Sequence, residues 1–232
     1  DKQKVIKLST KQAEFLALQN QINPHFLYNT LEAIRGDALC AGLDNIAEIT
    51  EALSTFFRYT ISETGNLVAL EDELENIENY IMIQRYRFGE KLKMEVRLPE
   101  GENHVLRFQV PKLTLQPLIE NAVFHGLECK ADGGTITVDV ETTPDKLLIS
   151  VRDDGVGIPE EKLDKINKKL NLVSVDYISE NKKKKESIAL YNVCRRIKLL
   201  FGEEYGIHIF SIEGVGTDVR INIPIIEEQK GI

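Results

Sequence analysis

Thr135-Ile-Thr-Val-Asp-Val140, Leu147-Leu-Ile-Ser-Val151 and Asp153-Asp-Gly-Val-Gly157-Ile-Pro159 follow one another almost without a break. The first two have strand length and apolar patterning, and Thr142-Thr-Pro-Asp145 between them is turn chemistry, so they predict a β-hairpin. The third closes the second strand with an acidic, glycine-rich turn. Working outward, Leu92, Met94, Val96 and Leu98 alternate as a strand that ends at Pro99-Glu-Gly101. Two last strands, 206–212 and 217–225, flank Gly214-Val-Gly216. Helices fall between these runs, at 110–126 (entered at Pro111 and stopped by Gly126) and at 187–201. Residues 160–186 are lysine-rich and weakly periodic. Hairpin-linked strands with helices between them indicate an α+β sandwich, a mainly antiparallel sheet with helices on one face.

The first 90 residues have another texture. Phe15, Leu18, Ile22, Phe26, Leu27, Leu31, Ile34 and Ala38 recur at helical spacing, predicting one amphipathic helix over about 5–40. Pro24 lies inside it, where proline removes a backbone hydrogen bond and crowds a carbonyl at a cost of roughly 3 kcal/mol. His25, next to that conflict in Gln21-Ile-Asn-Pro-His-Phe-Leu-Tyr-Asn-Thr-Leu31, is a side chain able to act as a nucleophile near neutral pH. Gly42-Leu-Asp44 ends the helix, with Asp44 as the cap of the next one, which carries Ile46, Ile49, Leu53, Phe56, Phe57 and Thr60. Such a hairpin buries its stripe most readily by pairing with a second copy into a four-helix bundle. After a turn at Thr64-Gly65-Asn66, Leu70, Leu74, Ile77, Ile81 and Gln84 trace a third helix, acidic at its start, basic at its end and closed by Gly89. The boundary between the helical part and the α+β part falls near 88–92.

Composition narrows the function classes. Hydrophobic residues make up 42% and charged residues 28%, ordinary for a soluble globular chain. A formal charge of −8 argues against nonspecific nucleic-acid binding. Cys40, Cys129 and Cys194 lie far apart and form no CxxC pair, so they read as isolated thiols in a reducing compartment, without a disulfide framework or zinc site. No stretch of about 18 apolar residues is present. The start, Asp1-Lys-Gln-Lys, lacks an initiator Met and enters a helical pattern at once, so the chain reads as a piece of something longer.

Three places carry chemistry. Asp153 ends a strand and can accept a hydrogen bond from an exocyclic amine, while Gly155 and Gly157 allow close approach of a ligand. Gly214-Val-Gly216-Thr217 is a second glycine turn. In Leu118-Ile-Glu-Asn121-Ala-Val-Phe-His125-Gly126, polar Glu120, Asn121 and His125 interrupt an apolar helix, and Asn121 and His125 share one face. An amide oxygen there suits Mg2+, which takes hard oxygen ligands together with nucleotide phosphates.

In this order, ENAxxHG, DDGVGIP and GVGT resemble the ATP-binding domain shared by gyrase, MutL, the large heat-shock chaperone of that superfamily and histidine kinases (the GHKL superfamily, with its Bergerat-type fold). QINPHFLYNTLEAIR and LEDELENIENYIMIQRYRFGEKL are similar to the LytS/YesM-type sensor histidine kinases. The resemblance covers about residues 15–225. It implies a helical dimerisation and histidine phosphotransfer region over 1–90 and an ATP-binding catalytic domain over 91–229, with a mobile lid at 160–186. It implies His25 as phosphoacceptor, Asn121 as Mg2+ ligand with Glu120 and His125 beside it at the phosphates, and Asp153 as reader of the adenine amino group. Gly155 and Gly157 would shape that pocket, and Gly214, Gly216 and Thr217 match the last glycine box. ATP and Mg2+, a homodimer, a response-regulator aspartate and a bacterial membrane reached through segments outside this chain are likewise implied. One departure concerns the family's Gly-x-Gly-Leu-x-Asn-Val run, which here reads Ser187-Ile-Ala189-Leu-Tyr-Asn192-Val, so both glycines are replaced while Asn192 is kept. A nucleotide-binding signalling module without kinase activity and a GHKL-type ATPase using Glu120 are the alternatives.

Overall fold

The computed structural model describes residues 24–62, 65–128, 130, 132–172 and 188–227. In chain order its elements are α1 (Pro24–Cys40), α2 (Asp44–Ile61), β1 (Leu67–Ala69), α3 (Leu70–Phe88), β2 (Leu92–Arg97), β3 (Gln109–Pro111), α4 (Gln116–Asn121), a π-helical turn (Ala122–Leu127), β4 (Gly134–Thr142), β5 (Lys146–Asp153), α5 (Glu160–Asn171), α6 (Ile188–Phe201), β6 (Gly206–Ile212) and β7 (Gly216–Pro224). The chain divides into two compact units after Ser62. No described helix is long and apolar enough to cross a membrane.

In the first unit, α1 and α2 pack on each other through Leu31, Ala38, Ala47 and Ala52, with Thr50 and Ser54 also buried. Arg35 reaches Glu32 on its own helix and Glu51 on the other, 3.4 Å from each. The described part of α1 begins at Pro24, so the expected helix upstream of it lies outside the described residues. Asp44 is the first helical residue rather than the cap, which is Leu43 without a side-chain hydrogen bond. A carboxylate in the first turn still favours the helix dipole. Phe26, Ile34, Leu39, Leu43 and Ile46 keep 40–69% of their surface exposed.

The second unit is built on a five-stranded sheet in the order β2-β4-β5-β7-β6. Its neighbours pair antiparallel except β2 with β4, which run parallel. Alternation supplies the two faces. Ile136, Val138, Val140, Leu147, Ile149, Val151, Ile207, Ile209, Val219, Ile221 and Ile223 are buried under the helices. The intervening positions form a polar outer face, where Arg152 pairs with Asp139 and Arg220 pairs with Asp218 at 2.7 Å. The expected α+β sandwich is what forms. A small antiparallel pair, β1 with β3, adds a second sheet the sequence did not announce.

Helix α3 belongs to this second unit by its contacts, and the compact division lies at 62/63. The cause is a polar stripe. Glu73, with no exposed surface, accepts backbone N–H bonds from Leu113 (2.6 Å), Thr114 (2.8 Å) and Leu115 (2.9 Å). A buried carboxylate is tolerated only when its lone pairs are engaged, and these three donors lie where the chain enters α4. Leu113 adopts φ +58 there, and Arg196 Nη2 donates to its carbonyl at 2.8 Å. Elsewhere on α3, the Leu70 N–H donates to the Phe108 carbonyl and Arg85 Nε donates to the Leu92 carbonyl, each at 2.9 Å.

Glu73→Ala leaves three buried donors unmet and is expected to lower unfolding stability by at least about 3 kcal/mol, with Glu73→Gln in between. Urea denaturation measures this, and a Glu73→Ala protein within about 1 kcal/mol of the parent contradicts the assignment.

Candidate functional site

Strand β5 delivers Asp153 to the end of the sheet, where its Cα partners are Ile136 on β4 and Thr217 on β7. Burial pushes the Asp153 carboxyl up to about 6, against the pull of the Gly155 and Thr217 backbone N–H groups. The Gly155 bond, at 2.9 Å, goes to Oδ1. Asp154, its neighbour, turns outward: its Oδ1 accepts the Thr135 N–H (3.0 Å) and its carbonyl accepts Lys130 Nζ (2.9 Å). Of the two adjacent carboxylates, one fastens the loop and the other is left for chemistry.

Opposite Asp153 lies the polar helix. It is not stopped by Gly126: α4 widens at Ala122 into the π turn, which runs to Leu127 and is closed by the Glu128 N–H donating to the Val123 carbonyl (2.8 Å). π turns inside helices gather at functional sites. Here the turn lays Gly126 against Asp153, so close that a Cβ on Gly126 would lie 2.6 Å from Oδ1. Asn121 Nδ2 donates to the Pro117 carbonyl at 2.7 Å, which leaves Oδ1 as the acceptor available on that side chain.

The glycines also let the chain pack on itself. A Cβ on Gly155 would lie 2.4 Å from the Gly126 backbone, on Gly157 (φ +69) 2.1 Å from the Ile212 carbonyl oxygen, and on Gly216 (φ +143) 2.0 Å from the Asp153 carbonyl oxygen. Chain therefore meets chain on the side where each Cβ would point. The Val156 N–H donates to Gly126 O (3.1 Å), the Gly214 N–H to Val156 O (2.7 Å) and the Ile158 N–H to Ser211 Oγ (2.8 Å), sewing the three motifs together. Gly214 alone among the predicted glycines has open space where its Cβ would point, and it is kept as glycine by φ +78.

These elements enclose a cavity of about 230 Å³. Asn121, His125, Asp153, Gly157 and Thr217 line it, as do Leu118, Val156, Ile166, Leu190 and Ile209, and Lys162 with Pro159 at the start of α5. Five predicted residues thus meet on one cavity. Gly155 and Gly216 sit behind its wall, and Gly214 and the exposed Asn192 do not line it. Glu120 does not line it either: its Oε1 accepts Gln116 Nε2 at 2.8 Å, and its charge acts on Tyr80 of α3. Sequence reasoning missed Lys162 and the role of Gly126, although the latter stands in the quoted ENAxxHG run. A wider hollow of about 430 Å³ on the outer sheet face is walled by ion-paired Asp139, Arg152 and Arg220.

Only the first part of the stretch expected as a mobile lid lies among the described residues. Residues 160–171 form α5, whose Leu170 is buried and whose Asn167 Nδ2 donates to the Ile209 carbonyl on β6 (2.9 Å). Residues 173–187, with Lys182–Lys185 and Ser187, lie outside the described residues. Ala189 is exposed near the start of α6.

Comparison with known proteins adds the family. The histidine kinase-, DNA gyrase B- and HSP90-like ATPase family matches residues 110–227, which hold the whole cavity. The chain belongs to this ATPase family. The histidine kinase family matches residues 13–92. Sensor histidine kinase YesM of Bacillus subtilis (strain 168) is 35% identical over 222 residues, covering 96% of this chain and 35% of that protein. Sensor protein LytS of Oceanobacillus iheyensis is 33% identical over 220 residues, covering 94% of this chain and 36% of that one. The histidine kinase domain from the Erythrobacter litoralis EL346 blue-light activated histidine kinase superposes with a TM-score of 0.47 at 18% identity, covering 87% of this chain and 94% of that chain. The chain spans about a third of the length of the curated relatives it matches.

Because the Asp153 pKa stands at about 6 against 3.8 for the free group, the folded state holds the proton more tightly, and stability is lost as pH rises through the window from about 4 to 6. Asp153→Asn in this ATPase-family site is expected to be more stable than the parent by roughly 2–3 kcal/mol at pH 7.5, the difference shrinking to less than about 1 kcal/mol near pH 4. Parallel denaturation curves at both pH values check this. Equal differences at the two would refute it.

Proposed function

We propose that this chain is the autophosphorylating portion of a sensor histidine kinase of a two-component system. The observation that carries the reading is the meeting of Asn121, His125, Asp153 and Thr217 on one cavity, in a chain that also presents His25 on an exposed helical turn. Asp153, held in a water-poor corner with one carboxylate oxygen fixed by Gly155, accepts the adenine amino group. Apolar Leu118, Ile166, Leu190 and Ile209 flank the base, and His125 and Lys162 lie where a phosphate chain would run out of the cavity. Thr217, the strand partner of Asp153, completes the base end.

Asn121 fits a hard cation. Its Nδ2 is tied to the Pro117 carbonyl, and its Oδ1 carries no hydrogen bond among the described residues. Such a donor set suits Mg2+, which keeps most of its shell as water and phosphate oxygen and would neutralise charge on the phosphates. The acceptor is His25. Its neutral ring attacks the γ-phosphorus, an N–P bond forms as the P–O bond to ADP breaks, and the imidazole proton is released. Asn29, one turn on, sets Nδ2 3.3 and 3.4 Å from the two ring nitrogens and can fix the orientation of the ring. From phosphohistidine the group passes to an aspartate of a response regulator. The apolar face carrying Phe26, Ile34 and Ile46 supports a homodimer through the helical hairpin, and attachment to a membrane would come from segments outside this chain.

A nucleotide-binding module without transfer is the second reading, favoured by Ala189 in place of a glycine. An ATPase using Glu120 has less support, since that carboxylate is turned toward Gln116.

The protein incubated with γ-labelled ATP and Mg2+ is expected to take up acid-labile, base-stable label that disappears in His25→Gln and in Asn121→Ala. Asp153→Asn is expected to weaken ATP binding at least tenfold, as loss of a charge-assisted bond of about 1.5–3 kcal/mol requires. Label that persists in His25→Gln, or phosphate released with no label at all, would overturn the kinase reading.

A further inference from the structure

Helix α3 places Glu73, Asn76, Tyr80 and Gln84 along one face, at helical spacings of three and four residues. Asn76 is 2% exposed. Its Nδ2 donates to Gln116 Oε1 at 3.1 Å, and Gln116 Nε2 donates to Glu120 Oε1 at 2.8 Å. The chain of bonds has a single direction: it fixes which way the Gln116 amide faces and requires Glu120 to be an acceptor. The arrangement is also costly, because Asn76 Oδ1 and Gln84 Oε1 are buried with no hydrogen-bond partner among the described residues. A leucine at position 76 would fill similar space without that cost, so packing alone does not explain the amide.

The end of the chain of bonds gives the explanation. Glu120 immediately precedes Asn121, whose own Nδ2 is tied back to the Pro117 carbonyl at 2.7 Å. Two consecutive residues are thus anchored along α4, Glu120 to Gln116, which Asn76 of α3 holds in turn, and Asn121 to Pro117, at the point where the helix widens into the π turn. We infer that Asn76 and Gln116 are positioning residues of the nucleotide site: acting through Glu120, they hold the turn that carries Asn121 so that its Oδ1 stays aimed into the cavity. Glu120 then serves the site from behind, which accounts for its absence from the cavity wall. Helix α3 takes part in ligand binding without touching ligand. The inference rests on the reading of Asn121 as the residue that meets the Mg2+–nucleotide complex.

The test is a calorimetric measurement of ADP affinity for the full chain, with Mg2+ and with EDTA. The variants are Asn76→Ala, Gln116→Ala, Glu120→Gln and the Asn76→Ala combinations with the other two. Asn76→Leu takes the place of Asn76→Ala if the alanine variant shows no cooperative unfolding. The parent is expected to gain affinity from Mg2+. Asn76→Ala and Gln116→Ala are expected to lose about 3–10-fold of that gain while binding in EDTA is unchanged. Each double variant is expected to be no worse than its Gln116 or Glu120 single variant, as residues acting in series require. Equal losses with and without Mg2+, additive losses or no loss at all would reduce the amides to packing and overturn the inference. Two other outcomes fail at the level of the parent: no nucleotide binding removes the functional reading itself, and binding indifferent to Mg2+ removes the role of Asn121. Both take the inference with them.

Discussion

A single buried carboxylate holds the ATPase-family unit in its shape. Glu73 gathers the backbone N–H groups of Leu113, Thr114 and Leu115 just before α4, at a place where the chain makes a positive-φ turn and has few other partners for those donors. Charge-assisted bonds of this kind are among the stronger ones in a protein interior, and the carboxylate is stable there only because all three donors are present. The bond set fixes where α4 starts. The start of α4 fixes Asn121, and the π turn after it fixes Gly126 against Asp153. Helix α3 is therefore structural to the site, even though the histidine kinase family match, residues 13–92, groups it in sequence with the His25 hairpin.

The base of the cavity is made rigid by backbone contact. Gly126, Gly155, Gly157 and Gly216 let the helix end, the strand-end turn and the last hairpin touch at distances no Cβ allows. Asp153 is enclosed by these contacts and loses water, which raises its pKa and makes it an expensive group to keep ionised at neutral pH. Stability is thereby given up at a residue that lines the cavity, as at functional sites in general. The walls are softer in character, being formed by side chains of α5 and α6 packed against β6.

Much of this was legible in the residues. Alternation over 134–142, 146–153, 206–212 and 216–224 marks the strands within a residue or two, because one face of an antiparallel sheet is buried and the other wet. The parallel pairing of β2 was not legible, since alternation carries no direction. The π turn hides in an ordinary helical pattern, and β1 and β3 are too short to announce themselves. The allegiance of α3 was hidden for a subtler reason: the sequence does not show that Glu73 and Asn76 are buried against the second unit, which only the fold reveals. Likewise, the glycines of DDGVGIP and GVGT signalled close approach correctly, but a sequence does not say whether ligand or chain does the approaching.

Native-state hydrogen exchange on the ligand-free protein tests the central claim, that α3 and the nucleotide-binding sheet form one cooperative structure clamped by Glu73. Amides in the middle of α3 and those of Leu113, Thr114 and Leu115 are predicted to open with the same free energy as the centre of β5. If α3 instead opens several kcal/mol more easily than β5, it is a linker that rests on the unit, and the account is wrong at its foundation.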